Sequence, residues 1–253
     1  MHWRTRVTQT VILAAGSGTR LAPARGPLPK PLMPVAGVPL IAHALEHARV
    51  SGCAEAVIVT GYDGERVRAA VRAMRPSLEV RFVTNAAFAA PNGVSLLAAE
   101  SVADTTFYLQ MVDHLFLSPV LARLSCTALA PDEEGRVLVD SAPAPEIDLA
   151  DATKVARAGR RVTAIGKGLA LWDAVDAGCF VLTHAVFDAL RRAGSAEGLT
   201  VSAGMRRLVR EGRLGAVDIA GVEWVDVDTP VDRDTAERLM AGTACISDRS
   251  LTA

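Results

Sequence analysis

The sequence has no apolar run long enough to cross a membrane, no excess of charge of one sign and few cysteines. Its 27 Lys and Arg residues nearly balance its 28 Asp and Glu residues, so the charge gives no basis for binding nucleic acid or an acidic membrane surface. The N-terminus, Met1 to Arg6, is basic but leads into no signal-peptide core. We therefore expect a globular cytoplasmic protein that neither spans a membrane nor binds nucleic acid.

The cysteines are too far apart to form a recognisable disulfide or metal pattern. Cys53, Cys126, Cys179 and Cys245 contain no C-x-x-C pair, and we expect small buried apolar residues in a reducing compartment. The hydrophobic fraction of 50% over 253 residues is enough for a full core and excludes global disorder.

Lysine is scarce as well. Of the 27 basic residues 24 are arginines, and the three lysines are Lys30, Lys154 and Lys167. An ammonium is a compact point charge, whereas guanidinium is a wide planar fork. The three lysines are therefore candidates for sites that need a compact charge and have no room for a guanidinium group. The alternative is that three lysines remain by chance.

The first half of the chain alternates between apolar runs and helical periodicity. Apolar runs predict strands over residues 10–15, 56–60, 80–83 and 106–112, and the periodicity predicts helices over residues 39–50, 64–74 and 94–100. This alternation is typical of a mostly parallel sheet covered by helices on both faces. Ligands of such sheets bind at the carboxyl ends of the strands, where Gly16 and Asp113 lie.

The second half is mixed. Two short strands flank Gly159 as a hairpin, and the later pattern predicts strands over 174–182 and 214–220 and helices over 185–192, 203–211 and 230–240. Asp228 and Thr229 are candidate caps of the last helix. We predict one α/β domain over residues 1–241, Rossmann-like with a mixed, mostly parallel sheet, and a disordered tail over residues 242–253.

A long loop after the first predicted strand is the strongest functional signal. Residues 16–34 contain five prolines and several glycines, which forbid a helix directly after the strand. Glycines at this place let backbone N–H groups approach a polyphosphate closely. The planar guanidinium of Arg20 can bind two phosphate oxygens at once, and the ammonium of Lys30 can place a point charge beside a reacting phosphoryl group.

Other phosphate-binding motifs do not match this loop. A dinucleotide fingerprint requires Gly or Ala where Leu21 stands, and a Walker loop requires the G-K-[ST] that is absent here. A purely structural loop would not need this set of glycines and cations. Residues 43–47 read H-A-L-E-H, the H-x-x-E-H pattern of one class of zinc peptidases, but no second helix offers an evident Glu ligand.

The motif A-A-G-S-G-T-R-L over residues 14–21, followed by P-K-P-L over 29–32, resembles the signature of sugar-phosphate nucleotidyltransferases. These are MobA-like NTP transferases with a GT-A-like fold. Asp113, Gly166-Lys167 and residues 224–230 match further segments in that family's order. More narrowly, residues 92–97, 113–114, 152–155 and 226–230 resemble cytidylyltransferases acting on inositol 1-phosphate. Val112 stands where those enzymes tend to carry Gly, which leaves the acceptor open.

The resemblance implies transfer of CMP from CTP to a polyol phosphate, inositol 1-phosphate first, with Mg²⁺ or Mn²⁺ and release of pyrophosphate. The implied catalytic residues are Arg20, Lys30, Asp113 and Asp226. The implied nucleotide-binding residues are Leu13, Ala14, Ala15, Gly16, Ser17, Gly18, Thr19, Arg20, Lys30, Asn92, Gly93 and Ser95. The implied acceptor-binding residues are His114, Lys154, Lys167, Asp176 and Gly178. The implied metal ligands are Asp113, Asp226 and Asp228.

Three alternatives stay open from the sequence. The enzyme could use UTP or GTP with a sugar or cyclitol 1-phosphate, or CTP with a phosphonate or phosphocholine. It could also be a nucleotide-binding regulator without turnover, although a decayed site should have lost some of Arg20, Lys30, Asp113 and Asp226. The oligomeric state is open too, a homodimer included. Each functional reading requires the fold to bring these four residues to one cleft.

Overall fold

The computed structural model describes residues 7–21, 26–194 and 198–249. Its strands, in chain order, are β1 (Gln9–Ala14), β2 (Pro34–Val35), β3 (Val38–Pro39), β4 (Glu55–Thr60), β5 (Glu79–Thr84), β6 (Thr106–Met111), β7 (His114–Phe116), β8 (Gly135–Asp140), β9 (Lys154–Ala158), β10 (Arg161–Gly166), β11 (Ala174–Thr183), β12 (Leu214–Asp218) and β13 (Trp224–Asp226). Its α-helices are α1 (Leu40–Val50), α2 (Gly64–Met74), α3 (Gly93–Ala98), α4 (Leu121–Leu124), α5 (Ala185–Ala193), α6 (Val201–Arg210) and α7 (Pro230–Arg249).

One large sheet organises these elements. Its strand order is β5-β4-β1-β6-β11-β8-β12-β10-β9. The strands β5, β4, β1 and β6 are parallel to one another, whereas β11 is antiparallel to both β6 and β8. The prediction of a mixed α/β sheet is confirmed, but the sheet is less parallel than predicted, because its parallel pairs lie mainly in the first half of the chain and its second half is mainly antiparallel.

The apolar runs form strands because they are buried on both faces of the sheet. Every residue of β1 is buried. Val11 and Leu13 pack into one hydrophobic cluster, and Ile12 and Ala14 pack into the cluster on the opposite face. This alternation is the two-residue period of a strand, and it explains why β1 reads as a continuous apolar run rather than an alternating one.

A small antiparallel ribbon beside the main sheet was not predicted from the sequence. In it β13 pairs with β7, so that Asp226 lies opposite His114. Leu115 and Val225 of the ribbon pack into a third hydrophobic cluster together with Leu21 and Ala236. The ribbon therefore joins the segment after β6 to the segment before α7.

Strand β8 was also missed, although it lies in the middle of the sheet. Its apolar residues are flanked by Arg136 and Asp140, which are both buried and which obscure the apolar run. Arg136 is neutralised by Glu133 at 2.5 Å and donates to the carbonyl oxygens of Thr127 and Ala128. These partners lie within nine residues of Arg136, but the contacts that neutralise and bury its charge form only in the folded chain.

The closing helix is longer than predicted. The pattern predicted a helix ending at Met240 and a disordered tail from residue 242, but the backbone stays helical to Arg249. One glycine, Gly242, costs a helix only about 1 kcal/mol relative to alanine, so it does not by itself end α7. Residues 250–253 lie outside the described residues, and the domain boundary stays a prediction.

No helix in the described part of the chain is long and apolar enough to cross a membrane.

Gly93, predicted to bind nucleotide, has a packing role at the start of α3. A Cβ at this position would lie 2.5 Å from the carbonyl oxygen of Leu199, and the Gly93 N–H donates to that same oxygen at 2.9 Å. We expect Gly93→Ala to lower the free energy of unfolding by about 1–3 kcal/mol, because backbone atoms must move apart. Urea denaturation measures this change.

Gly168→Ala is the matched control, because a Cβ at Gly168 meets no atom within 4 Å. It should change the free energy of unfolding by less than about 0.5 kcal/mol. Equal effects of the two substitutions would contradict the packing role of Gly93.

Candidate active site

A cleft of about 310 Å³ opens at the carboxyl ends of β1 and β6. We call it the first cleft. Its walls come from the end of β1 and the glycine loop, from the segment before α3, and from the end of β6. The lining residues are Leu13, Ala14, Ala15, Gly16, Gly18, Thr19, Arg20, Lys30, Pro31, Phe88, Ala90, Asn92, Ser95, Met111, Val112, Asp113 and Asp228. Most of the predicted nucleotide-binding residues therefore share one cleft.

The glycine loop and Lys30 fit together only because residue 18 is glycine. Gly18 has φ +59°, and a Cβ there would lie 2.6 Å from the Cβ of Lys30. The Leu21 N–H donates to the Gly18 carbonyl oxygen at 3.1 Å and closes the turn. Glycine tolerates positive φ and close approach, so this residue places the lysine stem against the loop.

Lys30 is the buried cation of the site. Its ammonium donates to Asp113 Oδ2 at 2.6 Å and to Asp228 Oδ1 at 2.5 Å, and its side chain is 8% exposed. Burial acts to lower the Lys30 pKa, but the charges of Asp113, Asp228 and Asp226 outweigh it and raise the pKa above its ordinary value. The ammonium is therefore a fixed positive charge between carboxylates.

The β7–β13 ribbon brings two distant aspartates together. Asp113 precedes β7, and Asp226 is the last residue of β13. The Val227 N–H donates to the Asp113 carbonyl oxygen at 2.9 Å, extending the pairing beyond the ribbon. The His114 Nδ1 lies 3.0 Å from Asp113 Oδ1 and 3.7 Å from Asp226 Oδ1. The imidazole thus lies between the two carboxylates.

The two carboxylates of this group, with the imidazole beside them, suit a divalent cation. One ligand atom each from Asp113, His114 and Asp226 lies within 4.8 Å of the others. The buried Asp226 Oδ1 has no hydrogen-bond donor among the described residues, and such an orphaned carboxylate oxygen is stabilised by a metal ion. Carboxylate oxygens are the ligands that Mg²⁺ and Mn²⁺ prefer. The residues present therefore fit the metal predicted from the sequence.

The ionisation of this group depends on its burial. Burial raises the pKa of Asp226 to about 7, against the lowering effect of the His114 charge, and the charges of Asp113 and Asp228 add to the rise. Burial also acts to lower the His114 pKa, but the carboxylates of Asp226 and Asp113 raise it to about 9. Despite its burial, Asp113 has a pKa below its usual range, because Lys30 and His114 stabilise its charge.

Asp228 binds cations and does not cap α7. Its carboxylate accepts hydrogen bonds from Lys30 and from Arg20 Nη2. The cap is formed instead by Thr229 and Asp232, whose side chains each accept a hydrogen bond from the other's backbone N–H. Asp228 lies outside the group of Asp113, His114 and Asp226 that can share one ion, so its role as a metal ligand stays a prediction.

A second cleft of about 450 Å³ adjoins the first. The two share Arg20, Asn92, Met111 and Asp228. The remaining lining residues of the second cleft are rich in oxygen acceptors and are Glu146, Ile147, Asp148, Asp151, Ala152, Thr153, His114, Lys167, Asp176, Gly178, Phe180, Val201, Ser202, Trp224, Val225, Asp226, Thr229, Val231 and Asp232. Two ligands could therefore meet at the shared residues.

Gly178 makes room for the imidazole in the second cleft. It has φ +72°, and a Cβ there would lie 2.3 Å from the Cδ2 of His114. The ring of His114 stacks on Trp224 at 5.7 Å between centroids, and the Trp224 indole N–H donates to the buried Asp140 at 2.9 Å. The His114 ring is thus held by glycine on one side and by an anchored indole on the other.

Three predicted site residues do not line either cleft. They are Ser17, Gly93 and Lys154. The Lys154 ammonium donates to the carbonyl oxygens of Leu149 at 2.7 Å and Lys167 at 2.9 Å, so it joins two backbone segments that border the second cleft. The prediction that Lys154 binds the acceptor directly finds no support in this geometry.

The side chains of the zinc-peptidase pattern are engaged elsewhere. His47 is buried, its Nδ1 lies 3.0 Å from Gln110 Oε1, and its Nε2 accepts from the Val120 N–H at 3.1 Å. Glu46 is paired with Arg49 on the surface. His47 therefore stabilises the core, and residues 43–47 form no metal site in the described part of the chain.

Sequence reasoning missed Asp151 and Phe88. The Asp151 carboxylate accepts from Arg20 Nη1 at 2.9 Å and from the Lys167 ammonium, and Phe88 forms part of the first cleft. Both residues lie in loops without a distinctive local pattern. Only the contacts made in the folded chain identify them.

Comparisons with known proteins find relatives over most of the chain. The sequence profile described as "MobA-like NTP transferase domain" matches residues 10–214. The bifunctional IPC transferase and DIPP synthase of Rubrobacter xylanophilus is 36% identical over 92% of the chain and 52% of its own length. The chain thus spans about half the length of the curated relatives it matches.

Solved structures share the fold. The inositol-1-phosphate CTP transferase from T. maritima has a TM-score of 0.81 at 24% identity, over 91% of this chain and 93% of that one. A UDP-glucose pyrophosphorylase complexed with UDP-glucose has a TM-score of 0.79 at 17% identity, over 94% and 100%. At these identities the likeness establishes the fold alone, and it confirms the predicted GT-A-like α/β class.

The partly buried carboxyl of Asp176, in the wall of the second cleft, is expected to make stability depend on pH. Burial raises its pKa to about 6, from 3.8. The folded state therefore holds the proton more tightly than the unfolded state, and this group's contribution to stability falls as pH rises from about 4 to 6. Asp176→Asn removes the titrating group and with it this loss of stability, and the Asn side-chain oxygen can still accept the hydrogen bond from the Gly178 N–H.

We expect the variant to gain about 1–3 kcal/mol of unfolding free energy on the parent between pH 4 and pH 7. Urea denaturation of both proteins across this range measures the difference. Parallel pH dependences would show that Asp176 is not desolvated in the folded protein.

Proposed function

The chain belongs to the MobA-like NTP transferase family, and on that premise we propose that it transfers CMP from CTP to inositol 1-phosphate and releases pyrophosphate. The observation that supports the proposal is that charged residues from distant parts of the sequence converge at one place. Lys30, Asp113 and Asp228 are joined by ion pairs, and Arg20 shares Asp228 with Lys30. Asp226 is held nearby by the ribbon. Three segments distant in sequence, the early loop, the end of β6 and the residues before α7, thus meet where the two clefts join.

The reaction needs charge neutralisation more than proton transfer. A phosphate monoester oxygen attacks the α-phosphorus of the nucleotide, and the bond to the pyrophosphate oxygen breaks. The attacking phosphate is already ionised at neutral pH, so no general base is required. Positioning and electrostatic stabilisation are then the main sources of rate enhancement, and cations at the junction of the clefts supply both.

Each side of the first cleft has a role in this proposal. The backbone of the Gly16–Gly18 loop and the Arg20 fork bind the β- and γ-phosphates, since glycine permits close approach and guanidinium matches phosphate geometry. Lys30 is directed at the α-phosphate. The segment of residues 89–93, with Ala14, offers backbone donors and acceptors for a cytosine base.

Asp113 and Asp226 would hold Mg²⁺, with His114 beside them. When bound, the ion neutralises phosphate charge and polarises the reacting phosphoryl group. The carboxylates must be ionised to bind it. Because burial raises the Asp226 pKa to about 7, a proton competes with the metal for this residue at neutral pH and below.

The second cleft suits an acceptor with several hydroxyl groups. Lys167 provides a cation for the acceptor phosphate, and the Asp176 carboxylate offers an acceptor for hydroxyl donors. Inositol 1-phosphate has this combination of groups. The names of the relatives from Rubrobacter xylanophilus and T. maritima support this choice of acceptor.

A pyrophosphate-release assay tests the proposal. The purified chain is incubated with each of CTP, UTP, GTP and ATP and with inositol 1-phosphate, glucose 1-phosphate, phosphocholine or an aminoalkylphosphonate. We expect release with CTP and inositol 1-phosphate that stops when EDTA removes the metal and returns with Mg²⁺ or Mn²⁺. Preference for another pair would reassign the substrates, and no release with any pair would favour a nucleotide-binding regulator.

Asp113→Asn should reduce turnover by about a hundredfold or more, because the variant loses a metal ligand and the counter-charge of Lys30. The residue is neither in a strand nor in a helix, so the circular dichroism spectrum should be unchanged. Steady-state rates under saturating CTP measure the loss. A folded variant with nearly full activity would remove Asp113 from the reaction.

Lys167→Ala should raise the acceptor KM by about 10- to 100-fold, the cost of one charge-assisted hydrogen bond, with a smaller effect on kcat. Arg161→Ala removes a cation from the same hairpin, but its side chain is exposed and paired with Asp132, so the acceptor KM should be unchanged. Equal behaviour of the two variants would argue against an acceptor phosphate at Lys167.

A further inference from the structure

Asp151 lies between the two cations that the proposed function assigns to phosphates. Its Oδ2 accepts from Arg20 Nη1 at 2.9 Å, and its Oδ1 accepts from the Lys167 ammonium. Arg20 borders both clefts, whereas Lys167 borders the second cleft. One carboxylate therefore accepts hydrogen bonds at the same time from a cation of the proposed nucleotide site and from a cation of the proposed acceptor site.

The ion pairs of the site differ in exposure. Lys30, with a side chain 8% exposed, is fixed between Asp113 and Asp228. Arg20, Asp151 and Lys167 have side chains 56%, 44% and 59% exposed. Breaking a buried pair leaves an uncompensated charge, whereas an exposed pair exchanges partners at small cost. Asp151 is thus bound to its cations but can be displaced from them.

The loop that carries Asp151 has a defined conformation. The Asp151 N–H donates to the Asp148 carbonyl oxygen at 3.1 Å, and the Asp148 side chain accepts from the Ala150 N–H at 2.8 Å. Lys154 ties the Leu149 carbonyl oxygen to that of Lys167. The carboxylate therefore stays near both cations when an anion arrives.

We propose that Asp151 is an internal competitor for phosphate groups at both substrate sites. An anion that binds Arg20 or Lys167 must displace this carboxylate. Inorganic phosphate can offset the free-energy cost of displacing the carboxylate only through its few contacts. A complete substrate also makes contacts through its base or polyol. Asp151 is thereby a specificity-determining residue that disfavours simple anions and helps pyrophosphate leave, a role that rests on the proposed function of the two clefts.

The test compares two variants of neighbouring aspartates. Asp151→Asn removes the competing charge and keeps the shape of the side chain. Asp148→Asn removes the same charge from the same loop and the same cleft, but no described cation pairs with Asp148. The full-length chain is titrated with inorganic phosphate and with pyrophosphate, without metal, by isothermal titration calorimetry.

We expect Asp151→Asn to bind both anions about two- to fivefold more tightly than the parent, the factor that corresponds to an exposed ion pair. Asp148→Asn should bind them with an affinity close to that of the parent. A gain of affinity cannot come from a damaged fold, which distinguishes competition from a structural role.

A double variant localises the effect. In a Lys167→Gln background, Asp151→Asn can no longer tighten the binding of inorganic phosphate through Lys167, so the gain should shrink to the part that Arg20 provides. Equal gains in Asp148→Asn and Asp151→Asn would indicate long-range charge and overturn the proposal. Unchanged or weaker binding by Asp151→Asn would overturn it as well.

These outcomes are separable from those of the proposed function. Anion affinities can be measured whether or not CMP is transferred. Absence of transfer with every substrate pair would refute the cytidylyltransferase activity, whereas unchanged anion affinities in an active enzyme would refute the role of Asp151 alone.

Discussion

The burial of the Lys30 ammonium is the constraint on which the rest of the site depends. A buried cation requires partners, because desolvation disfavours its charged form. Asp113 and Asp228 provide them, and the two come from chain segments more than a hundred residues apart. The end of β6, the segment before α7 and the early loop must therefore meet for the lysine to be neutralised. Stability and the assembly of the site are satisfied by the same contacts.

Two structural features make this meeting possible. The β7–β13 ribbon sets the register that places Asp226 opposite His114 and thus next to Asp113. Glycines allow the close approaches, since Gly18 leaves room for the stem of Lys30 and Gly178 leaves room for the imidazole. Anchored by Asp140, Trp224 packs against that ring. A rigid frame of this kind fixes charged groups within the short distances that electrostatic catalysis requires.

Cations and carboxylates alternate around the two clefts, and their ion pairs differ in how far they are exposed to solvent. The Lys30 ammonium is buried between its partners, whereas the pairs of Arg20 and Lys167 with Asp151 are exposed. The buried charges that fix the geometry of the site are therefore distinct from the exposed charges that exchange one ligand for another in the proposed function. The scarcity of lysine fits this arrangement in part. Lys30 and Lys167 point into the clefts, whereas Lys154 stabilises backbone carbonyl groups.

Local sequence patterns were enough to predict the strands of the parallel half, the glycine loop and Thr229 as a cap of α7, and the resemblance to a known family selected Arg20, Lys30, Asp113 and Asp226 as candidate site residues. These signals are local, because apolar runs, glycines and short motifs depend on neighbours in the chain. Only the folded chain reveals the ribbon, strand β8, the structural use of Gly93 and Lys154, and the contacts of Asp151. Each of these depends on partners that are remote in sequence, and a residue's charge or size does not reveal which remote group will neutralise it or fill the space beside it.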